Sequence, residues 1–492
     1  MNPTPETTVT ATPPTPMPQP KPRRSRRRWY ILGSFALLFI AAPVTFFTLS
    51  AWWRNREMEA IYAELDAEDP NWRWHDLLAE FKQPPDDQNS AVQVQKVLKL
   101  LNSKAFNPGP KWDNNASDFK RNARLAADYE QLLRESFAGL EPTTVAEARK
   151  LSEMPHGGFA IEAVDVPYFH LKMDFIQETR KVIILLMCDV SLLAQDGKQE
   201  EALDSCRAML NLSRSFKDQP FLISQLVRLA EQAIAVHAIE RTLGQDDKVG
   251  DAGLQRLQKL LEMEVAEDAL RIAMRGERAG GHQMYVQIQE GQVTLSEIMN
   301  GAGAVGRAPN LGERMVDMFP GVILSGYPDY LRRMSEQVRA TKLKDVERAE
   351  AMAKLEADLR GKRVSMITRM IMPATMKVND SSLRVQAHLR STLAAVAVER
   401  YRIQHDAWPK SLDDVVKAGL LKEVPPDPYD GKPLRFKRTP IGVIVYSIGM
   451  NKVDDGGTLT RGNPNAPNAD FGFELWDPQQ RGVAPLPEPE KK

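Results

Sequence analysis

The chain has 492 residues, and at the usual domain length of about 150 residues this excludes one small compact domain. Hydrophobic residues make up 42% and charged residues 26% of it, proportions that exclude a disordered or wholly membrane-embedded chain. Sixty-five basic residues balance 65 acidic ones, leaving no global field for nucleic acid, and two cysteines exclude a disulfide-dense scaffold or a four-thiolate zinc site.

In chain order, the balance first breaks at the N-terminus. Residues 1–28 hold six Lys or Arg against one acid, net +5, so the remainder carries −5. Eight prolines and six threonines in residues 1–22 cannot bury a core, and 1–28 reads as a disordered, basic cytoplasmic tail. From Trp29 to Trp53 there are 25 residues without a charge. As a helix they reach about 37 Å, enough for a hydrocarbon core of about 30 Å. Trp29 and Tyr30 stand at one end and Trp52 and Trp53 at the other, as interfacial anchors do. The run Lys21 to Arg28 holds the N-terminus in the cytoplasm, so the bulk of the chain is expected outside it. A cleaved signal peptide is the alternative, but its apolar region is about 7–15 residues, and Leu49-Ser50-Ala51 is a poor cleavage site.

Residues 54–375 follow a helical period and are expected to form an extracytoplasmic bundle or short array. Phe169, Met173, Ile176, Ile183, Met187 and Val190 share one face; Asp196-Gly197-Lys198 turns the chain; Ala202, Cys206, Met209 and Phe216 resume the period. After Asp218-Gln219-Pro220, Leu222, Leu226, Leu229 and Ala233 begin a third helix. The first pair looks like a tetratricopeptide-type hairpin without a second copy. Further helices are expected near 56–66, 89–103, 118–138, 252–274 and 328–360, the last a densely charged amphipathic helix and a possible coiled-coil surface. Eight glycines between Gly276 and Gly312 predict a loop-rich stretch.

Motifs of catalysis are weak. Gly301 to Gly306 matches G-x-G-x-x-G, but no strand precedes it and Pro309 follows, so no nucleotide is expected. None of the seven histidines falls into a compact metal spacing, and His237 lies on an apolar helical face as a core histidine does. Pro155-His156-Gly157-Gly158 is like an oxyanion loop, yet no G-x-S-x-G elbow supplies a nucleophile. Cys188 and Cys206 lie nine residues either side of Gly197; two free thiols are favoured over a disulfide.

Residues 376–476 read as a small α+β module. Ser382 to His405 forms a long helix, Ser411 to Asp414 a capped short one, and Leu434 to Lys437, Val443 to Ser447 and Phe471 to Trp476 are strand candidates. The segments AVERYRIQHDAWPKSLDDVV, VPPDPYDGKPLRF and VYSIGMNKVDDGG resemble, in this order, the globular domain of the major pseudopilin of bacterial type II secretion. In that family the apolar helix runs directly into this domain, whereas here the only span lies more than 300 residues upstream, as in a module carried by a separate anchored protein. The resemblance implies a calcium-binding loop after the strand. Asn451, Asp454, Asp455 and Asp470, with loop carbonyls, are the oxygen donors such an ion takes; the alternative is a solvated turn. The whole chain also resembles uncharacterised membrane-anchored proteins of bacteria, a likeness in keeping with an inner-membrane, single-pass location that supplies no activity. Residues 477–492 are expected to be a disordered tail.

These readings predict a mainly α protein: a single N-terminal transmembrane helix, a helical-bundle or array body, and a small pseudopilin-like α+β domain. The expected function is that of a non-catalytic anchored interaction or assembly protein with protein partners. The alternative is an extracytoplasmic hydrolase or transferase with its site between the body and the C-terminal module. A pseudopilus component proper is a third option.

Overall fold

The computed structural model describes residues 26–101, 106–109, 120–161, 168, 171, 173, 175–300, 310–311, 314, 317, 320–360, 364, 366–459 and 469–485; in the first helix it describes side chains at Ala41, Thr45 and from Thr48 onward. The protein is mainly helical, with one three-stranded antiparallel sheet. Contacts divide it into two compact units, Met1–Arg56 and Glu57–Lys492.

In the first unit, Trp52 and Trp53 meet edge to face and both are exposed, with the Arg56 guanidinium over Trp52. A helix, α1 (Arg26–Glu68), begins in this unit. Among the described residues no helix is long and apolar enough to cross a membrane. The span expected from Trp29 to Trp53 falls mostly on side chains outside the described residues, as does the basic tail up to residue 25.

The second unit continues through α2 (Trp74–Glu80), α3 (Ser90–Leu101), α4 (Ala127–Ala138) and α5 (Thr144–Arg149). Its centre is built by α6 (Phe175–Gln195), α7 (Gln199–Arg214), α8 (Leu222–Gln245) and α9 (Asp251–Ala266). The α6–α7 hairpin forms as its period predicts, turning at Gly197 with φ +73°, a conformation costly to any residue with a Cβ. Cys188 and Cys206 are buried and form no disulfide with each other, and burial pushes the Cys206 thiol up to about 12, so it stays protonated.

Several helical boundaries differ from those the sequence suggests, among them the start of α4 at Ala127 rather than near 118. The helix expected over 252–274 breaks at Glu267-Asp268, where Asp268 accepts a hydrogen bond from the Arg271 amide and starts α10 (Ala269–Gln289). That helix runs through the first part of the stretch expected to be glycine-rich loop. The glycines there serve close packing: a Cβ on Gly276 would stand 1.6 Å from the Pro220 carbonyl oxygen, and one on Gly281 1.9 Å from the Tyr330 hydroxyl. After α11 (Leu295–Asn300) and α12 (Pro320–Leu324), the charged segment divides into α13 (Tyr327–Thr341) and α14 (Asp345–Leu359), so it is a helical pair rather than one helix.

The long helix α15 (Met366–His405) starts 16 residues before the expected Ser382 and passes through the 375/376 boundary. Leu389, Leu393 and Val396 on it join one core with Ile239, Leu257 and Leu261 of the body and with Val443, Val445, Phe473 and Leu475 of the sheet. Next comes α16 (Leu412–Lys417), closed by the expected Ser411–Asp414 capping box. Strands β1 (Arg435–Thr439), β2 (Gly442–Ser447) and β3 (Phe471–Trp476) pair in that order, with Phe436 opposite Val445 and Val445 opposite Phe473. Every residue of the central strand β2 is buried, as expected of a strand covered on both faces. The Glu474 amide donates to Glu240 of α8 at 3.0 Å and fastens the sheet to the body.

The tail expected to be disordered from Asp477 is ordered through residue 485. Arg481 explains the difference: it is buried and donates to both oxygens of Glu399 at 2.9 Å, while Val483 exchanges backbone hydrogen bonds with Asn122 and Arg124.

Buried charge is the other organising feature. Glu264 of α9 is fully buried and accepts from Arg214 of α7, from Arg228 of α8 at 3.0 Å and from Gln232. Burial pushes its carboxyl up, and Arg228 and Arg214 outweigh that and hold it below its ordinary value. Glu231, also buried on α8, has no arginine partner among the described residues, and burial pushes it up to about 8. These two glutamates predict opposite outcomes. Glu264→Ala strands two buried guanidiniums and is expected to cost about 3–5 kcal/mol in urea unfolding; a loss below about 1 kcal/mol would show that the pairs add nothing. Glu231 keeps its proton when folded up to about pH 8, whereas the unfolded chain releases it near about pH 4.3. Stability therefore falls as pH rises between those values. Glu231→Gln is expected to flatten that decline and to exceed wild type at pH 8; parallel pH profiles for the two proteins would contradict it.

Candidate functional site

The loop between β2 and β3 brings the four expected metal-ligating residues together. It turns through Gly449, Lys452, Gly456 and Gly457, all at positive φ. Asp454 accepts from the Tyr446 hydroxyl at 3.1 Å and the Gly456 amide at 2.9 Å. Asp455 accepts from the Asn451 amide group at 2.8 Å. Asp470 is buried and accepts from the Gly457 amide at 2.7 Å and the Asp455 amide at 3.4 Å. Burial pushes Asp470 up, and the charges of Asp454 and Asp455 push the same way. Three carboxylates thus repel one another around a turn whose donors are backbone amides, the Tyr446 hydroxyl and the Asn451 side chain. Among the described residues no group of three or more acidic, histidine or cysteine side chains is arranged to hold a metal ion.

The upstream segment VPPDPYDGKPLRF has a structural task. Asp427 is buried and accepts from the Ser447 hydroxyl at 2.7 Å and from the Ile448 and Tyr429 amides at 2.9 Å. Arg435 of β1 reaches both Asp427 and Asp430, so one turn of chain locks the sheet at its edge.

Sequence reasoning missed a cluster whose members lie far apart in the chain. His282 of α10 bonds through Nδ1 to the Tyr327 hydroxyl, which sits 2.9 Å from the Tyr62 hydroxyl, and Trp72 packs on the imidazole with ring centroids 4.6 Å apart. Burial, reinforced by Arg73 and Arg278, pulls His282 down to about 3. A ring kept neutral at every physiological pH fastens α10 to α13 and to the end of α1; it is not tuned for proton transfer near neutrality. Its signal would have been aromatic residues on facing helices, which no local spacing reveals. The Pro155 to Gly158 loop is likewise occupied, since the Gly158 amide donates to Asn89 Oδ1 at 3.0 Å. His237 is half-buried on α8. The Gly301 to Gly306 motif lies outside the described residues.

Two of the surface concavities have a substantial apolar lining. One, of about 300 Å³, is lined by Phe221, Leu222, Leu226 and Tyr168, with Glu277 as the sole carboxylate among the described lining residues. Burial pushes Glu277 up, and the Tyr168 hydroxyl donates to it at 3.4 Å. The other, of about 390 Å³, runs between α13 and α14. Ala340, Leu343, Ala351 and Leu355 form its apolar part and Glu336, Arg339, Lys354 and Asp358 surround them. Leu343, in the three-residue link that splits the expected helix, is 42% exposed, which is unusual for a leucine beside other apolar side chains.

No known protein family, no curated protein and no solved structure matches this chain.

Proposed function

We propose that this protein is a non-catalytic interaction or assembly protein, anchored by a single span at Trp29 to Trp53 in the bacterial inner membrane with its bulk outside the cytoplasm, and linked to a secretion or envelope machine. The α13–α14 groove is the observation that carries the reading. An apolar floor with a rim of both charge signs is the surface into which an amphipathic helix lays its apolar face. The order of sequence motifs in the C-terminal segment supports a link to secretion machinery, and the charge-free stretch behind an arginine cluster supports the anchor. A second reading, an extracytoplasmic hydrolase or transferase, draws on Glu277, a buried acid in an apolar pocket; that reading needs a nucleophile the described lining does not supply.

Cross-linking in membranes followed by capture of the tagged full-length chain tests the first reading. Envelope or secretion subunits are expected with wild type, and Leu343→Asp combined with Ala351→Glu is expected to lower their recovery at least tenfold at equal expression. Equal recovery by the variant, or recovery of the chain alone, would overturn it. Calcium belongs to the same proposal, since a cation at Asp454, Asp455 and Asp470 relieves their mutual repulsion. Millimolar calcium is expected to raise the melting temperature by several degrees, by binding the folded state only, and Asp455→Asn to abolish the rise. An equal response to calcium and to magnesium in both proteins would reduce the loop to a turn.

A further inference from the structure

Away from the groove and the C-terminal loop, a cavity of about 150 Å³ lies where α8, the α9–α10 link, the start of α14 and the middle of α15 meet. Three arginines from three different helices line it, Arg228, Arg348 and Arg390. Arg228 is wholly buried and gives Nη2 to Glu264 at 3.0 Å, while its Nε and Nη1 have no acceptor among the described residues. Arg348 is 8% exposed and gives Nη2 to Asp345 at 2.7 Å, while its Nε has no acceptor among the described residues. Arg390 gives to the other oxygen of Asp345 at 2.6 Å and to the Pro426 carbonyl at 2.9 Å.

The carboxylates are therefore shared out. Asp345 serves Arg348 and Arg390, Glu264 serves Arg214 and Arg228, and Glu267 serves Arg214 and Lys217. Asp268 is occupied in capping α10, whose first residues, Ala269 and Leu270, also line the cavity. Of the charged groups that line the cavity, three are arginines and four are carboxylates; Glu264, Glu267 and Asp345 are already paired, and Asp268 caps α10. A buried guanidinium N–H without an acceptor is costly, and the two arginines that carry three of them line this cavity beside the positive end of a 21-residue helix, as does Gln386, whose Oε1 has no donor among the described residues. A planar guanidinium with free donors is matched by an oxyanion rather than by an apolar group or a cation.

We propose that this cavity is a binding site for a small oxyanion, a phosphate- or carboxylate-sized group, received by Arg228 and Arg348 at the α10 N-terminus. Its volume admits such a group and not a nucleotide, so a larger ligand would place only its anionic end there. The site joins the helical body to α15, and occupation would brace that joint.

Phosphate titrations of the detergent-solubilised full-length chain, at constant ionic strength set with chloride, test the proposal by calorimetry and thermal unfolding. Saturable binding with about one site is expected for wild type, with glycerol phosphate also binding if the natural ligand is the end of a larger molecule and inorganic phosphate alone if it is the free ion. Arg348→Gln is expected to weaken binding at least tenfold. Arg348→Lys, which keeps the charge and the fold but loses the fork, is expected to weaken it by a smaller factor, and the exposed Arg256→Gln, outside the cavity, to leave it unchanged. Absence of saturable binding to wild type, or equal affinity in wild type and Arg348→Lys, would overturn the assignment.

Discussion

The fold depends on a device used repeatedly: carboxylates withdrawn from water and kept charged are met by guanidinium groups from elsewhere in the chain, whereas Glu231 is buried without one and is pushed toward its protonated form. Glu264 is met by Arg214 and Arg228, Glu399 by Arg402 and Arg481, and Asp345 by Arg348 and Arg390. Because the desolvation cost is recovered only with good geometry, each such group fixes the register of the elements that supply it. Glu264 sets α7, α8 and α9 against one another. Glu399 holds the end of the chain on α15, where burial is outweighed by Arg481 and Arg402. A further tie, Arg400 to Asp251 at 2.7 Å and to Gln258 at 2.9 Å, binds α15 to α9. Apolar burial drives the collapse, and these pairs select which collapsed arrangement is adopted.

Close approach is the second constraint, and it explains where glycine stands. Gly276, Gly280 and Gly281 let α10 lie against the Pro220 backbone, the Tyr168 ring and the Tyr330 hydroxyl. Gly244 does the same for α8, where an added Cβ would be 2.9 Å from both Trp476 and the Arg121 carbonyl. Through Phe473, Leu475 and Glu474, β3 becomes part of the helical core rather than a separate appendage.

Much of this was legible from periodicity. The α6–α7 hairpin, the capping box at Ser411, the three strands and the burial of both cysteines follow from local patterns that agree with the tertiary structure. What was illegible is instructive in kind. Glycines read as loop because local propensity penalises them in helices, yet three of them sit inside α10 where a neighbour leaves no room for a side chain. The charged stretch from 328 to 360 reads as one helix, since nothing in its period marks the break at 342–344. The arginine-lined cavity and the His282–Tyr327–Tyr62 chain draw members from positions hundreds of residues apart, and no spacing announces them. The acidic loop was visible because its residues lie close in sequence; that its carboxylates accept from backbone amides was not.

Taken together, the body and the C-terminal strands form one mechanical unit, and the surfaces proposed for partner and anion are both attached to it. The α13–α14 groove is borne by helices that contact α10 and α15, and the anion cavity lies at the α8–α15 joint. Native-state hydrogen exchange of the full-length protein tests this unity most directly. Amides of β2 and β3 and amides of α7, α8 and α9 are expected to exchange through one shared opening, with the same free energy and the same denaturant dependence. Strands that open at a lower free energy, while α7 to α9 stay protected, would contradict a single charge-clamped core.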